Sequence, residues 1–202
     1  MIILLDNGHG CETAGKRSPD GMFREYAWAR EIASRLEKEF LAANYDVRCI
    51  VPEDTDISLK ERTKRVNEIC NKYGKENVIL ISIHINAASN GKWSKARGWS
   101  AYTSKGNTQS DEIANELYSA AANILPMEMK IRKDFSDGDC DWEENFYLLK
   151  NTLCPAVLTE NFFMDNKDDL KFLQSEYGKV KIVKLHFKGI VNYLIKNYHL
   201  DE

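Results

Sequence analysis

The chain has 202 residues, a length that one α/β core can occupy, so we expect a single domain over residues 1–202. Hydrophobic residues make up 43% of the chain and charged residues 29%, which excludes disordered and collagen-like classes. The formal net charge of -3 comes from acidic and basic side chains mixed along the chain, so we expect no nucleic-acid partner.

The N-terminal segment and the cysteines bear on where the protein is made. Residues 1–6 lack the basic start and the roughly 7–15 apolar residues of a signal peptide. No apolar run reaches the roughly 18–20 residues of a membrane helix, so we expect no membrane insertion. The five cysteines are odd in number and form no C-x-x-C pair, which favours synthesis in a reducing compartment, the cytoplasm.

The first half of the chain alternates predicted strands with predicted helices. Residues 2–6 are a short apolar run ended by a turn signal, and apolar spacings of four, three and four predict a helix over residues 24–43. Residues 46–51 are rich in β-formers, and Ser58 to Glu61 fits a capping box that opens a second helix. The β-branched run 78–85 predicts a strand covered on both faces.

The second half continues the alternation. We predict a strand over 98–104, a helix over 113–124, a strand over 155–160, and helices over 168–174 and 179–197. The acidic segment 127–144 lacks periodicity and predicts a long surface loop, without the residue spacing of an EF-hand calcium loop. This order predicts an α/β fold: a single-domain three-layer sandwich with a mostly parallel, twisted sheet and helices on both faces.

Reactive side chains follow or end three of these strands. His9 follows the first strand, His84 lies near the end of the central strand, and Glu160 ends the 155–160 strand. The carboxyl ends of parallel strands meet at one edge, so we expect these side chains to lie close together. Two histidines and one carboxylate form a common catalytic zinc set that leaves a position open for water. Glu25, at the start of the first helix, is the best-placed third ligand.

Each of these residues also has a purely structural interpretation. His9 could decorate a turn, and His84 could make a structural hydrogen bond. Glu25 could be a first-turn carboxylate favoured by the helix dipole, and Glu160 could cap a loop. The residue chemistry alone leaves these alternatives open.

Other side chains are weaker candidates. Glu12 and Glu31 are alternative third ligands, and Cys11 could be a thiol nucleophile because it lies two positions from His9. His186 and His199 lie on or beyond the last helix, and we interpret them as helix-surface or tail groups that bind no metal.

Taken together, four segments carry a resemblance to a known family. They are residues 3–10 (ILLDNGHG), Glu25, residues 82–87 (SIHINA) and residues 155–166 (PAVLTENFFMDN), with weaker agreement at 58–62 and 189–193. In order and spacing they resemble the zinc-dependent N-acetylmuramoyl-L-alanine amidase family of the amidase_3 type, which includes phage-type endolysins. Cys11 and Asn161 stand where glycine is common in that family, a departure that bears on substrate preference rather than on reaction type.

The resemblance implies a function and a site. One zinc ion would be held by His9, Glu25 and His84, and Glu160 would be the catalytic glutamate. The substrate would be peptidoglycan, bound through its glycan strand and stem peptide and cut between the lactyl group of N-acetylmuramic acid and L-alanine. We expect a monomer that acts on the cell wall after release or lysis.

Three other functions compete with this one. A carboxypeptidase-like zinc hydrolase would share the ligand types, but it usually takes two ligands from a compact H-x-x-E segment, whereas His9 and Glu25 are sixteen positions apart. A silent peptidoglycan-binding module would keep the fold without the chemistry. A thiol-dependent wall peptidase would depend on Cys11.

Overall fold

A six-stranded sheet forms the centre of the protein. The computed structural model describes residues 1–198 and orders the strands β2-β1-β3-β6-β4-β5. The strands are β1 (Ile2–Asn7), β2 (Asp46–Cys49), β3 (Val78–Asn86), β4 (Ser100–Thr103), β5 (Trp142–Glu143) and β6 (Ala156–Phe163).

Most neighbouring strands run parallel. β1 pairs in parallel with β2 and β3, and β3 pairs in parallel with β6. β4 runs antiparallel to β6, and the short β5 runs parallel to β4. The predicted mostly parallel sheet is confirmed, and the carboxyl ends of β1, β3 and β6 lie at one edge.

Helices cover both faces of the sheet. They are α1 (Glu25–Ala42), α2 (Leu59–Tyr73), α3 (Gln109–Ile124), α4 (Tyr147–Asn151), α5 (Lys167–Gln174) and α6 (Glu176–Tyr198). The larger hydrophobic core lies between the sheet and α1, α3, α5 and α6, while α2 and α4 close a smaller core on the opposite face. This confirms the three-layer sandwich; the assignment of all 202 residues to one domain stays a prediction.

Alternating side chains of the central strands enter the two cores. Ile79 and Ile81 of β3 face the larger core, and Val78 and Leu80 face the smaller one, all with no exposed surface. A strand that is buried on both faces needs apolar residues at consecutive positions, which explains its nearly continuous β-branched run. Within residues 1–198, no helix is both long and apolar enough to cross a membrane.

The apolar stripe on α2 is only partly buried. Val66 and Cys70 are buried, but Leu59 is 51% exposed and Tyr73 is 39% exposed. Leu59 lines an open cleft, and Tyr73 lies under the guanidinium of Arg48, 4.8 Å from its ring centroid. Leu59 and Tyr73, at the two ends of the stripe, therefore lie outside the hydrophobic core.

The segment predicted as a surface loop, residues 127–144, is partly buried. Met129 is 9% exposed and Asp141 is 1% exposed. Asp141 accepts a 2.6 Å hydrogen bond from the hydroxyl of Thr103. Directly after Asp141 the segment forms β5, which pairs with β4. The interpretation as a wholly exposed loop was therefore wrong for the end of the segment.

Candidate active site

All four predicted site residues meet at the carboxyl edge of the sheet. His9 follows β1 by two positions, and Glu25 is the first residue of α1. His84 in β3 lies directly opposite Glu160 in β6 in the strand register. Two neighbouring parallel strands thus present an imidazole and a carboxylate side by side.

The three predicted ligands surround a common point. Oε1 of Glu25 lies 3.1 Å from Nδ1 of His84 and 3.5 Å from Nε2 of His9. The two imidazole rings meet edge to face with centroids 4.9 Å apart, and one ligand atom from each residue lies within 4.8 Å of the others. Oε1 of Glu25 also accepts a 3.0 Å hydrogen bond from the amide of Ile85.

These residues fit a borderline metal ion such as zinc. Glu25 is fully buried, and its Oε2 is buried without a hydrogen-bond partner among the residues that the structure describes. A buried carboxylate oxygen without a partner is unfavourable unless something binds it. Two imidazole nitrogens with one carboxylate are a donor set that zinc accepts.

Burial and mutual charge shape the protonation of the site. Burial lowers the pKa of His9 to about 4, so its imidazole is neutral at physiological pH, the form that binds metals. Burial opposes the charged forms of Glu25 and His84, but their mutual hydrogen bond and attraction outweigh it, so the pKa of Glu25 is lowered and that of His84 is raised. The negative charge of Glu25, which raises the pKa of His84, would also attract a metal cation.

Glu160 has a different environment. It is half-buried at the wall of the cleft, and its Oε2 is buried without a hydrogen-bond partner among residues 1–198. Burial raises its pKa to about 7; the His84 charge opposes the rise, and the Glu25 charge adds to it. A carboxylate with a pKa near neutrality is suited to both accepting and donating a proton.

The backbone around these residues is unusual. His9 and Phe162 have positive φ angles of 61° and 67°, a region that non-glycine residues seldom adopt. The register between β3 and β6 also shifts just beyond the His84–Glu160 pair. A Cβ atom on Gly8 would clash with the imidazole of His84. The backbone at residue 8 therefore lies so close to that ring that only glycine fits.

Arg62 of α2 holds the His9 loop, a role that the sequence did not reveal. Its guanidinium is 2% exposed and donates to Oδ1 of Asp6 and to the carbonyl of Asn7, both at 2.7 Å, and to the carbonyl of His9 at 3.1 Å. The other oxygen of Asp6 accepts a 2.5 Å hydrogen bond from Ser82 in β3. The weaker agreement with the family at residues 58–62 was the one signal in the sequence from which this residue could have been found.

Asn161 is a second positioning residue. It is fully buried, donates to the carbonyl of His84 at 3.0 Å, and accepts from the indole nitrogen of Trp99 at 3.0 Å. The side chain thus fixes the backbone of His84 against β6. A glycine at this position could make neither bond.

A cleft of about 230 Å³ opens beside the four residues. His9, His84 and Glu160 line it together with Ser82, and the remaining wall is formed by Lys16, Leu59, Phe146, Tyr147, Leu148 and Leu158. The charge of Lys16 acts to lower the pKa of His9 and of Glu160. The cleft therefore has an apolar wall and one cation next to the candidate metal ligands.

The weaker candidates lie outside this group. Glu12 is exposed and accepts a hydrogen bond from Cys11 at 2.9 Å, which together with burial raises the pKa of the thiol. Glu31 lies in the second turn of α1 and accepts hydrogen bonds from Lys179 at 2.7 Å and from Arg35 at 2.6 Å. A thiol with a raised pKa is a poor nucleophile at neutral pH.

His186 was wrongly interpreted as a surface residue. It is fully buried, its Nε2 lies 2.9 Å from the Thr159 hydroxyl, and its Nδ1 lies 2.8 Å from the carbonyl of Ile182. Both ring nitrogens are therefore occupied within the core, which agrees with its exclusion as a metal ligand. His199 lies outside the described residues.

Comparison with known proteins shows the family to which this chain belongs. A family model described as N-acetylmuramoyl-L-alanine amidase matches residues 3–192. The endolysin of Bacillus phage SPP1 is 27% identical over 96% of this chain, and N-acetylmuramoyl-L-alanine amidase CwlM of Bacillus licheniformis is 27% identical over 93%. The chain spans 66% of the length of each of these two relatives.

A solved structure shows the same fold. The crystal structure of N-acetylmuramoyl-L-alanine amidase from Clostridium difficile 630 superposes with a TM-score of 0.79 at 26% identity. The match covers 97% of this chain and 97% of that one. The sheet, its helices and the edge that carries the site are thus shared over nearly the whole of both chains.

Proposed function

Because the chain belongs to the N-acetylmuramoyl-L-alanine amidase family, we propose that it hydrolyses the amide bond between the lactyl group of N-acetylmuramic acid and L-alanine in peptidoglycan. The observation that carries the proposal is the meeting of His9, Glu25 and His84 next to Glu160 in an open cleft. The first three residues would hold one zinc ion, and Glu160 would be the catalytic carboxylate.

The ligands are prepared for that ion by their surroundings. When bound, zinc supplies Lewis acidity, which activates water and polarises a carbonyl group. Burial keeps His9 neutral, and the Ile85 amide orients Glu25 through its 3.0 Å hydrogen bond. Arg62 and Asn161 hold the backbones of the two histidines through hydrogen bonds to their carbonyls, which helps to orient the imidazoles.

Glu160 moves the proton. Its carboxylate accepts a proton from the attacking water and delivers it to the departing amine of L-alanine, which must leave protonated. Burial favours this exchange because the raised pKa, about 7, makes the proton transferable in both directions at neutral pH.

The cleft also offers binding contacts to the polymer. Leu59, Phe146 and Tyr147 give an apolar wall suited to the faces of sugar rings and alanine methyl groups, and Lys16 provides a cation for stem-peptide carboxylates. The SPP1 relative is an endolysin, and we place this chain in the same role, as a monomer that reaches the wall after release or lysis.

The decisive experiment is digestion of purified peptidoglycan with and without a chelator, followed by mass spectrometry of the products. The proposal expects intact stem peptides with new L-alanine amino groups, and loss of activity on chelation. Release of single amino acids would instead identify a carboxypeptidase, and sedimentation with the wall without any product would identify a binding module. Activity that resists chelation but disappears in Cys11→Ser would identify a thiol peptidase.

A further inference from the structure

A second group of possible metal ligands lies apart from the catalytic residues. Asp111 in the first turn of α3 and the loop residues Asp139 and Asp141 each bring one carboxylate oxygen within 4.8 Å of the other two. The cluster adjoins Thr103 at the end of β4. Since β4 runs antiparallel to β6, Thr103 lies three residue steps from the Ser100–Glu160 pair, or about 10 Å along the strand.

Two of these carboxylates are buried with unused oxygens. Asp141 is 1% exposed and Asp111 is 6% exposed, and Oδ1 of each is buried without a hydrogen-bond partner in the described part of the chain. Within residues 1–198, none of the three aspartates forms an ion pair with a lysine, arginine or histidine. Buried carboxylates without a counter-charge are costly, so this arrangement favours a bound cation.

The surrounding structure holds the carboxylates in position. Thr103 donates to Oδ2 of Asp141 at 2.6 Å, and the amide of Thr108 donates to Oδ2 of Asp111 at 2.5 Å as part of the α3 capping box. Asp139 is the more exposed member, and its Oδ1 accepts from the amide of Asp141 at 3.4 Å. Two ligands are thus fixed by regular structure, and the third sits on the solvent side.

We propose that Asp111, Asp139 and Asp141 form a binding site for a hard divalent cation, with calcium as the best match. The donors are all oxygens, the set that calcium prefers, and they include no imidazole or thiolate that would favour zinc. The site is chemically distinct from the histidine-containing one and does not depend on the amidase proposal.

Cation binding at this position would stabilise one wall of the catalytic cleft. The amide of Glu144 donates to the carbonyl of Thr103 at 3.0 Å, and the chain continues directly to Phe146 and Tyr147, which line the cleft. A cation bound by both Asp139 and Asp111 would therefore link the segment that leads to Phe146 and Tyr147 to helix α3.

The alternative is a proton in place of the cation. Burial, reinforced by the neighbouring carboxylates, raises the pKa of Asp141 to about 7, so Asp139 and Asp141 could share a proton. The two cases differ in their response to calcium, because a shared proton gives no calcium-dependent stabilisation.

Calorimetric titration of the zinc-loaded protein with calcium chloride, combined with thermal unfolding, tests the proposal. We expect one calcium site and, at calcium concentrations about 100-fold above Kd, a rise in Tm of about 5–10 °C. Asp139→Asn should abolish the binding heat and the rise in Tm. Asp137→Asn is the matched control, because Asp137 is an exposed aspartate of the same loop outside the cluster, and it should keep both.

Two results would overturn the proposal: absence of calcium binding to the unmodified protein, and equal calcium responses in Asp139→Asn and Asp137→Asn. In the first case, a higher Tm of calcium-free Asp139→Asn would identify the shared proton as the alternative. None of these readouts depends on peptidoglycan hydrolysis, so failure here is distinguishable from failure of the amidase proposal.

Discussion

Replacing Arg62 with methionine should destabilise the protein and weaken its metal site. The substitution leaves Asp6, 1% exposed, as a buried carboxylate without its ion-pair partner, and it removes donors from the carbonyls of Asn7 and His9. Breaking a buried ion pair by removing one partner costs roughly 3–5 kcal/mol of unfolding free energy. The loss of support for the His9 loop should weaken zinc binding by about 10–100-fold.

Two measurements separate these effects. Urea unfolding of the metal-free protein gives the unfolding free energy, and competition with a chromophoric chelator gives the zinc affinity. Adding Asp6→Asn to Arg62→Met removes the uncompensated charge, so the double variant should recover at least about 1 kcal/mol relative to Arg62→Met alone. Arg48→Met serves as a control, since Arg48 pairs with Asp46 in an exposed ion pair whose loss should cost less than about 1 kcal/mol.

Either of two results would refute this reasoning. One is an Arg62→Met variant no less stable than the Arg48→Met control. The other is a double variant without any recovery, which would mean that the charge of Asp6 is not what destabilises the single variant.

Three further predictions concern single residues. Glu160→Gln should retain zinc while hydrolysis falls by about 10²–10⁴-fold, measured by metal analysis and product release. His186 has a pKa lowered to about 4 by burial, so between pH 6.5 and 4 the unfolded chain binds a proton that the native chain does not. Stability should therefore fall with decreasing pH, by up to about 1.4 kcal/mol per unit, and His186→Gln should lack this contribution in urea unfolding. Asp169→Ala should cost roughly 2–5 kcal/mol in the same assay, because the buried amides of Gly98 and Phe163 lose their acceptor.

Each of these has a clear contrary outcome. Near-normal turnover of Glu160→Gln would remove that residue from the chemistry. An unchanged pH slope in His186→Gln would mean that other groups produce the acid instability. An Asp169→Ala variant as stable as the unmodified protein would show that water or other groups satisfy the two amides.

The central strands and the site could be predicted because burial on both faces leaves a clear record in sequence. The apolar runs at 2–6 and 78–85 mark β1 and β3, and the side chains at their ends must lie at one edge when the strands are parallel. Glu25 was harder to assign, since a glutamate at the start of a helix is ordinary. Only its place opposite both histidines distinguishes it from Glu12 and Glu31.

Other features leave too little trace in the sequence. β5 has two residues and α4 has five, which is too short for periodicity to show. The antiparallel direction of β4 depends on its partner rather than on its own residues. The burial of His186 could not be predicted either, because its polar partner, Thr159, belongs to β6 and is distant in sequence.

The two glycines that flank His9 limit how far this loop could be altered by evolution or engineering. A side chain at Gly8 would displace the imidazole of His84, and one at Gly10 would meet the backbone of Asp56. The first obstacle is an imidazole held by Glu25 and the second is backbone, so compensating substitutions elsewhere have little room to act. Substitutions that change substrate preference have more room at positions such as Leu59 and Phe146, where side chains already face the open cleft.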